Sequence, residues 1–454
     1  MNARVSVSTR HLARAIPNAV RTLARVLHDA GFRSWAVGGS VRDHLLLELS
    51  PDRAVSTKSD WDVATDARPE QVQKLFRRVI PTGIQHGTVT VVLDKQSFEV
   101  TTLRGETTYS DGRHPDGVYF VDDLNDDLAR RDFTVNAIAY DVLADRLFDP
   151  FGGIFDLEAR LLRAVGEPRE RFGEDGLRVL RCARFAATLE MNVEPRTRSA
   201  MRPSLDSYRK VSAERIRDEW WKAFGAARPS RAFELMRDEG LLEVTAPELF
   251  ALASRHVPGL RDDVLTHAFR TLDELPHDPV LRLAGLLHPL ALTPEGDPWP
   301  AESSRRASAL GARLRLSNTD RERLTALVRH HVLPTVVPEG GALRRYLRDV
   351  TPELWPDVLA LLRAHVTASG DDPDEAARLA ELERQCQDEL GRAPALSLKE
   401  LAVSGKDLIT EGVVAPGPAL GRTLNTLLEL VLDDPATNTR DALLARAREL
   451  GGAP

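Results

Sequence analysis

Apolar positions change their period part-way along the chain. From Ala19 to Ala30, Val20, Leu23, Val26 and Leu27 recur at three- and four-residue spacing, which predicts an amphipathic helix closed by Gly31. SWAV (34–37) then reads as a strand running into Gly38-Gly39. Farther on, GTVTVVLD (87–94) and SFEVTTLR (97–104) alternate apolar and polar residues, the signature of paired strands, with Asp94-Lys95-Gln96 as their turn. GETTYSDGRHPDGVYF (105–120), rich in Gly, Asp and Thr, reads as a mobile loop. After about Gly153 the strand signal fades and helical spacing takes over, as in LRVLRCARFAATLE, ERIRDEWWKAFGAA and RAFELMRDEGLLEV. HVPGLRDD, LTPEGDPWP and VVPEGG punctuate these helices as loops. SGDDPDEAARLAELERQCQDELGRAPALS (369–397) reads as charged and coil-prone, ahead of a last helical segment. The pattern predicts a small α+β head with a β-sheet, followed by an all-helical remainder, with no repeat of fixed period.

Composition narrows the class. At 454 residues the chain is long enough for about three domains. Its net charge of -7 weighs against a uniformly basic nucleic-acid binder, so any basic groove is expected on one face only. Two cysteines, Cys182 and Cys386, are too few for a disulfide framework and fit a reducing cytoplasm. The N-terminus lacks the apolar core of a signal peptide, and no apolar run approaches a membrane span. These readings lead to the expectation of a soluble cytoplasmic protein.

The chemistry centres on Asp60 and Asp62 in SDWDVAT, which follows the glycine turn VGGSVRD (37–43). In an extended segment, side chains at i and i+2 share a face, so both carboxylates can grip the same metal while Trp61 turns into a core. A turn that opens a helix offers backbone N–H groups to phosphate. Phosphoryl and nucleotidyl transfer sets negative charge against negative charge, and two divalent cations about 3.5–4 Å apart can clamp the attacking and leaving oxygens. Glu99, on the strand FEV, is a reasonable third ligand. No Gly-Lys-Ser/Thr follows Gly39, so the turn is not a Walker A loop; Arg42 in the following helix is placed to clamp a triphosphate. In RRDFTVNA (130–137), Arg131 can reach phosphate or ribose, Asp132 can accept from a ribose hydroxyl, and Asn136 is placed to brace the loop. In EDGLRVLRCARF (174–185), Asp175, Arg178, Arg181 and Arg184 fall at three-residue steps and meet on one helix face. An Asp/Arg pair complements a base edge that shows an acceptor beside an exocyclic amine. Cytosine and adenine have that edge; guanine and uracil do not.

VGGSVRD, DWDVAT, RRDFTVNA, DPFGGIFDL (149–157), EDGLRVLRCARF and SAERIRDE (212–219) occur in one order. Together they resemble the class II tRNA nucleotidyltransferases, the CCA-adding enzymes, and the related bacterial poly(A) polymerases. SGKDLITEGVVAPGPALGRTLNTLLELV (404–431) is similar to the C-terminal segment of the bacterial CCA-adding enzymes. The resemblance implies an α+β nucleotidyltransferase head with a small β-sheet (1–153), then a helical neck that reads the base (154–228), a helical body (229–370) and a tRNA-binding helical tail (371–454). It implies Mg²⁺ on Asp60 and Asp62, with Glu99 beside them. Gly39, Ser40 and Arg42 would hold the triphosphate, and Arg131 with Asp132 would contact the incoming nucleotide. Asp175 and Arg178 would read its base, supported by Arg181 and Arg184. CTP, ATP and tRNA follow as substrates, with no membrane and no obligatory protein partner evident.

The resemblance also implies that the 105–117 loop is the flexible loop needed for A addition, which argues against a CC-only enzyme. PTGIQHGTVTV (81–91) is similar to the CCA-type version rather than the more basic poly(A) polymerase version. Template-independent CCA addition, with release of pyrophosphate, is therefore the expected activity. The alternatives are an A-adding enzyme or poly(A) polymerase, a non-catalytic RNA-binding protein, or a phosphohydrolase. The chain departs from the family pattern in the long linker LLLELSPDRAVSTKS (45–59). A second departure lies in 262–292, which resembles a metal-dependent phosphohydrolase domain. There the His-Asp pair would fall at His288-Pro289; proline cannot ligate metal, so hydrolysis is expected to be lost even with His267 and His288 retained.

Overall fold

The computed structural model describes residues 8–50, 60–84, 87–106, 118–291, 299–370 and 372–451. Two compact units divide the chain, Met1–Thr245 and Ala246–Pro454. Pro51–Ser59 of the long linker, residues 107–117 of the glycine-rich loop, and Gln85 and His86 of the 81–91 segment lie outside the described residues.

The first unit is built on a sheet whose early strands are β1 (Ser34–Val37), β2 (Asp62–Thr65), β3 (Val79–Gly83), β4 (Thr88–Leu93) and β5 (Gln96–Thr102). β6 (Arg104–Glu106) and β7 (Val118–Phe120) form a separate antiparallel pair. β8 (Ala139–Asp141) and β9 (Arg146–Phe148) complete the main sheet, in the order β3-β4-β5-β2-β1-β8-β9. Every pairing in it is antiparallel except β2 with β5. That parallel register sets Asp62 directly beside Glu99. Asp94 and Lys95 both take positive φ, giving a two-residue hairpin turn whose twist matches the strands; Gln96, read from the sequence as turn, is the first residue of β5. Trp35, Val37, Ala64, Leu103 and Ala139 form the core against one face. Trp61 is buried, as its alternation with the two aspartates predicts, and stacks on His44 with ring centroids 5.3 Å apart.

Beyond Gly153 the first unit is helical apart from the two-residue pair Leu161–Leu162 and Asn192–Val193. Leu177–Thr188 packs against Ala213–Ala223 and Ser230–Asp238, sealed by Trp220 edge-on to Phe233. The arginines of Leu177–Thr188 are held by neighbouring segments, Arg178 by the Arg130 carbonyl, Arg181 by Asp132 and Arg184 by Glu219.

Among its described residues, the second unit contains helices only. The stretch read as coil-prone is in large part a helix, Pro373–Gly391. Its charges pair along the helix rather than breaking it: Arg384 bridges Glu381 and Asp388 at one-turn spacing. Leu379, Leu382 and Cys386 form a buried stripe, and the Asp372 carboxylate caps the Asp374 N–H at 2.9 Å. A buried arginine then staples three helices. Arg344, in Gly340–Val350, donates to Glu389 at 2.8 Å and to the Leu432 and Asp433 carbonyls.

Candidate active site

The turn after β1 is forced on the chain by two demands that only glycine meets. Gly38 has φ +78°, and a Cβ there would lie 3.3 Å from Asp62 Oδ2 and 3.5 Å from Arg131 Nη1. The backbone thus runs against the carboxylate and opens directly into helix Gly39–Leu49. Val41, Leu45 and Leu46 bury that helix. Ser40 Oγ donates to the Asp60 carbonyl, tying the helix start to the acidic segment.

Asp60 is exposed just before β2, and Asp62 is half-buried at its first residue. Burial, then the charge of Glu99, raise the Asp62 carboxyl to about 6, with Arg131 acting the other way. Anionic oxygens are therefore gathered where they destabilise one another, an arrangement that suits a hard divalent cation.

Across the turn lies a cleft of about 500 Å³, lined by eight cationic side chains and only three acidic ones. That imbalance favours a polyanion. Arg42 is buried; its Nη1 donates to Asn136 Oδ1 at 2.6 Å and its Nε to Asp43 at 2.8 Å. Arg131 reaches Asp127 Oδ2 at 3.3 Å and the Asn136 carbonyl at 3.4 Å, both long contacts, and its Nε has no hydrogen-bond partner. Its two terminal nitrogens are thus held only loosely at the edge of the cleft.

Asp132 lines the cleft and is also tied into the protein. Its Oδ1 accepts from the Phe133 N–H at 2.8 Å and Asn136 Nδ2 at 2.9 Å; its Oδ2 accepts from Arg181 Nε at 2.7 Å. Burial alone would raise this carboxyl, but Arg181 and the Asn136 donor outweigh it and hold it well below the usual range. Asp132 thereby fixes Arg181, and Asn136 joins Asp132 with Arg42.

The base-reading candidates are also braced. Gly176 passes so close to the Ser207 carbonyl that a Cβ would sit 2.2 Å from it, which presses the start of helix Leu177–Thr188 into place. Asp175 accepts from the Leu177 N–H at 2.9 Å and from Arg215 at 3.2 and 2.7 Å. Arg178 pairs with Glu174 and donates to the Arg171 and Arg130 carbonyls, both at 3.0 Å. Arg184 bonds Glu219 on the same helix as Arg215, and burial pushes its guanidinium down to about 10 against the opposing charge of Glu219. Beneath them lies Phe185: the Arg42, Arg181 and Arg184 guanidiniums stand 5.1, 5.3 and 3.6 Å from its ring centroid.

Of the residues expected from the sequence, Gly39, Arg42, Asp62, Arg131, Asp132, Asp175, Arg178, Arg181 and Arg184 line this one cleft. Asp60 and Ser40 flank it through the bond described above, and Glu99 stands next to Asp62 in the sheet. Arg215, Glu219, Glu174 and Phe185 complete the arrangement without having been expected from the sequence, while Asn136, read there as a brace, joins Arg42 to Asp132. Arg215 and Glu219 are four apart, a spacing that puts both on one helix face and could have flagged them.

A mixed sheet with a glycine turn, strand-borne carboxylates and a cationic cleft define a nucleotidyltransferase. The Poly A polymerase head domain family model matches residues 34–163. The model for the probable RNA and SrmB-binding site of polymerase A matches 190–252, and that for tRNA nucleotidyltransferase domain 2 matches 374–447. The CCA-adding enzyme of Pediococcus pentosaceus is 33% identical over 441 residues, covering 95% of this chain and 97% of that protein. That of Lactobacillus helveticus is 34% identical over 421 residues, covering 92% and 94%. The Bacillus stearothermophilus CCA-adding enzyme, solved in complex with CTP, superposes with a TM-score of 0.71 at 27% identity, covering 95% and 97%. The chain belongs to the CCA-adding enzyme family, whose members are metal-dependent nucleotidyltransferases.

Proposed function

We propose that this chain adds C, C and A to tRNA 3′ ends from CTP and ATP, with no nucleic-acid template. The observation that carries the proposal is that the glycine turn, Asp62, Arg131 and the braced Asp175/Arg178 pair all border one cationic cleft of nucleotide size. The tRNA 3′-oxygen attacks the α-phosphorus in line; the new O–P bond forms as the bond to the β-phosphate oxygen breaks, and pyrophosphate leaves. Arg42, Arg131 and the backbone N–H groups opening helix Gly39–Leu49 hold the triphosphate. Asp175 accepts from the exocyclic amine of cytosine or adenine while Arg178 donates to the adjacent ring acceptor. Arg215 and Glu174 keep that pair in one orientation, and Arg181 and Arg184, seated on Phe185, keep the cleft positive. Asp60 and Asp62, with Glu99 alongside, are the residues that would hold Mg²⁺. When bound, the ion would neutralise phosphate charge and favour the ionised 3′-hydroxyl.

In this reading the head spans 1–153, the neck 154–228, the body 229–370 and the tail 371–454. Body and tail hold the tRNA. No helix among the described residues is long and apolar enough to cross a membrane, and the cytoplasm, where tRNA matures, is the proposed location.

The deciding assay offers tRNA lacking its terminal CCA with CTP and ATP, singly and together, in Mg²⁺. Three added residues only when both are present is the expected result. Long A tracts with ATP alone would make the chain a poly(A) polymerase, and a single A on tRNA ending in CC, with no C addition, would make it an A-adding enzyme. Asp60→Ala should abolish addition while leaving tRNA binding largely intact.

A further inference from the structure

Three imidazoles in the second unit, two buried and one half-buried, meet at one point. His267 lies in helix Val264–Glu274, His288 caps the end of Pro279–Leu287, and His365 lies in Trp355–Ser369. His267 Nε2 is 3.2 Å from His288 Nε2 and 3.0 Å from His365 Nδ1, and the last two are 3.2 Å apart. His267 and His288 are each 1% exposed.

Such a triangle has no satisfactory hydrogen-bonding solution. Each ring nitrogen is either a protonated donor or a bare acceptor. With two kinds of nitrogen and three mutual contacts, at least one contact must join like with like, whatever the protonation state. Two lone pairs or two N–H groups held at this distance repel, and contacts of 3.0–3.2 Å leave no room for a water between the nitrogens. A cation at the centre accepts all three lone pairs and removes the conflict. The geometry suits one: Zn–N bonds of about 2.0–2.1 Å at tetrahedral angles put ligand nitrogens about 3.3 Å apart. His288 is already in the ligand tautomer, since its Nδ1 faces the Gly285 carbonyl at 2.7 Å and Nε2 is left bare.

We propose that His267, His288 and His365 form a mononuclear site for a borderline divalent transition metal of the Zn²⁺ type, pinning three helices of the second unit. The all-nitrogen donor set selects against Mg²⁺ and Ca²⁺, which prefer oxygen. Pro289, next to His288, supplies no donor for a second ion, so the site is separate in chemistry as well as in sequence from the carboxylates of the head.

The test uses the full chain, stripped with chelator, incubated with Zn²⁺ alone, desalted and assayed for metal. About one ion per chain should be retained, with a higher melting temperature than the stripped protein. Asp62→Asn should retain the same amount, which separates this site from the head. His288→Ala and His365→Gln should each retain less than a tenth while still binding CTP. Co²⁺ in place of Zn²⁺ should give the intense visible absorption of a low-coordinate nitrogen site in the unaltered chain, a readout independent of whether either variant folds. No retained Zn²⁺ together with no such Co²⁺ band would overturn the proposal, as would full retention by folded His288→Ala and His365→Gln.

Discussion

Asp62→Asn should stabilise the metal-free protein near neutral pH while abolishing nucleotide addition. Asp62 is raised from an ordinary aspartate value of 3.8 to about 6 by burial and by Glu99. A carboxyl raised on folding binds more protons in the native state, so the stability it lends is full below the unfolded pKa and is lost as pH rises through the folded one. With those two values, linkage gives about 1.4 kcal/mol of stabilisation at pH 5 and essentially none at pH 7.5. Asparagine does not titrate, and every other group is common to the two proteins. The stability of Asp62→Asn relative to the parent should therefore grow by about 1.4 kcal/mol between pH 5 and 7.5. Denaturant unfolding of both proteins in EDTA at the two pH values measures this directly. Millimolar Mg²⁺ at pH 7.5 should then stabilise the parent and leave the variant unmoved. Parallel pH profiles for the two proteins, or equal stabilisation of both by Mg²⁺, would refute the idea that crowded anions at β2 await a cation.

Three further outcomes follow from the same geometry. Arg215→Ala removes two charge-assisted bonds from Asp175; at about 1.5–3 kcal/mol for such bonds, kcat/KM for CTP should fall roughly 10- to 150-fold, with weaker discrimination against UTP in single-nucleotide assays. Gly38→Ala places a methyl against Asp62 at a positive φ, so addition should drop at least about tenfold and the first unit should lose about 1–2 kcal/mol in denaturant unfolding. Arg344→Met leaves the buried Glu389 with only the exposed Arg392 as a partner and frees the Leu432 and Asp433 carbonyls; it should destabilise the second unit by about 3 kcal/mol, much of it recovered by adding Glu389→Leu.

The catalytic half of the molecule was largely legible because its chemistry is local in sequence. Asp60 and Asp62 alternate with an apolar Trp61, and a period-2 pattern determines which way each points. The hairpin of β4 and β5 was visible for the same reason, although only the backbone reveals that Gln96 belongs to the strand. What escaped notice was long-range: Arg215 reaches Asp175 from a helix forty residues later, and Phe185 reads as ordinary core until three guanidiniums are seen above it. Asp132 shows the converse limit. Its position was identified, but its carboxylate also fixes Arg181 from a different element, a partner that local spacing cannot reveal. The charge density of 373–391 suggests solvated coil, yet pairing at one-turn spacing and a three-residue stripe are enough to fold it as a helix.

The ring of Phe185 has an electrostatic consequence. It gathers three guanidiniums whose carboxylate partners are Asp43, Asp132 and Glu219, and the surplus of eight cationic over three acidic side chains along the lining keeps the cleft positive in a chain whose total charge is -7. Beyond roughly 8–10 Å in physiological salt that local field is screened, and a passing polynucleotide meets a protein of its own sign. The cleft then attracts at short range, where a triphosphate or a single RNA end can enter. Capture of the reacting end would then begin with charge, before any base is read.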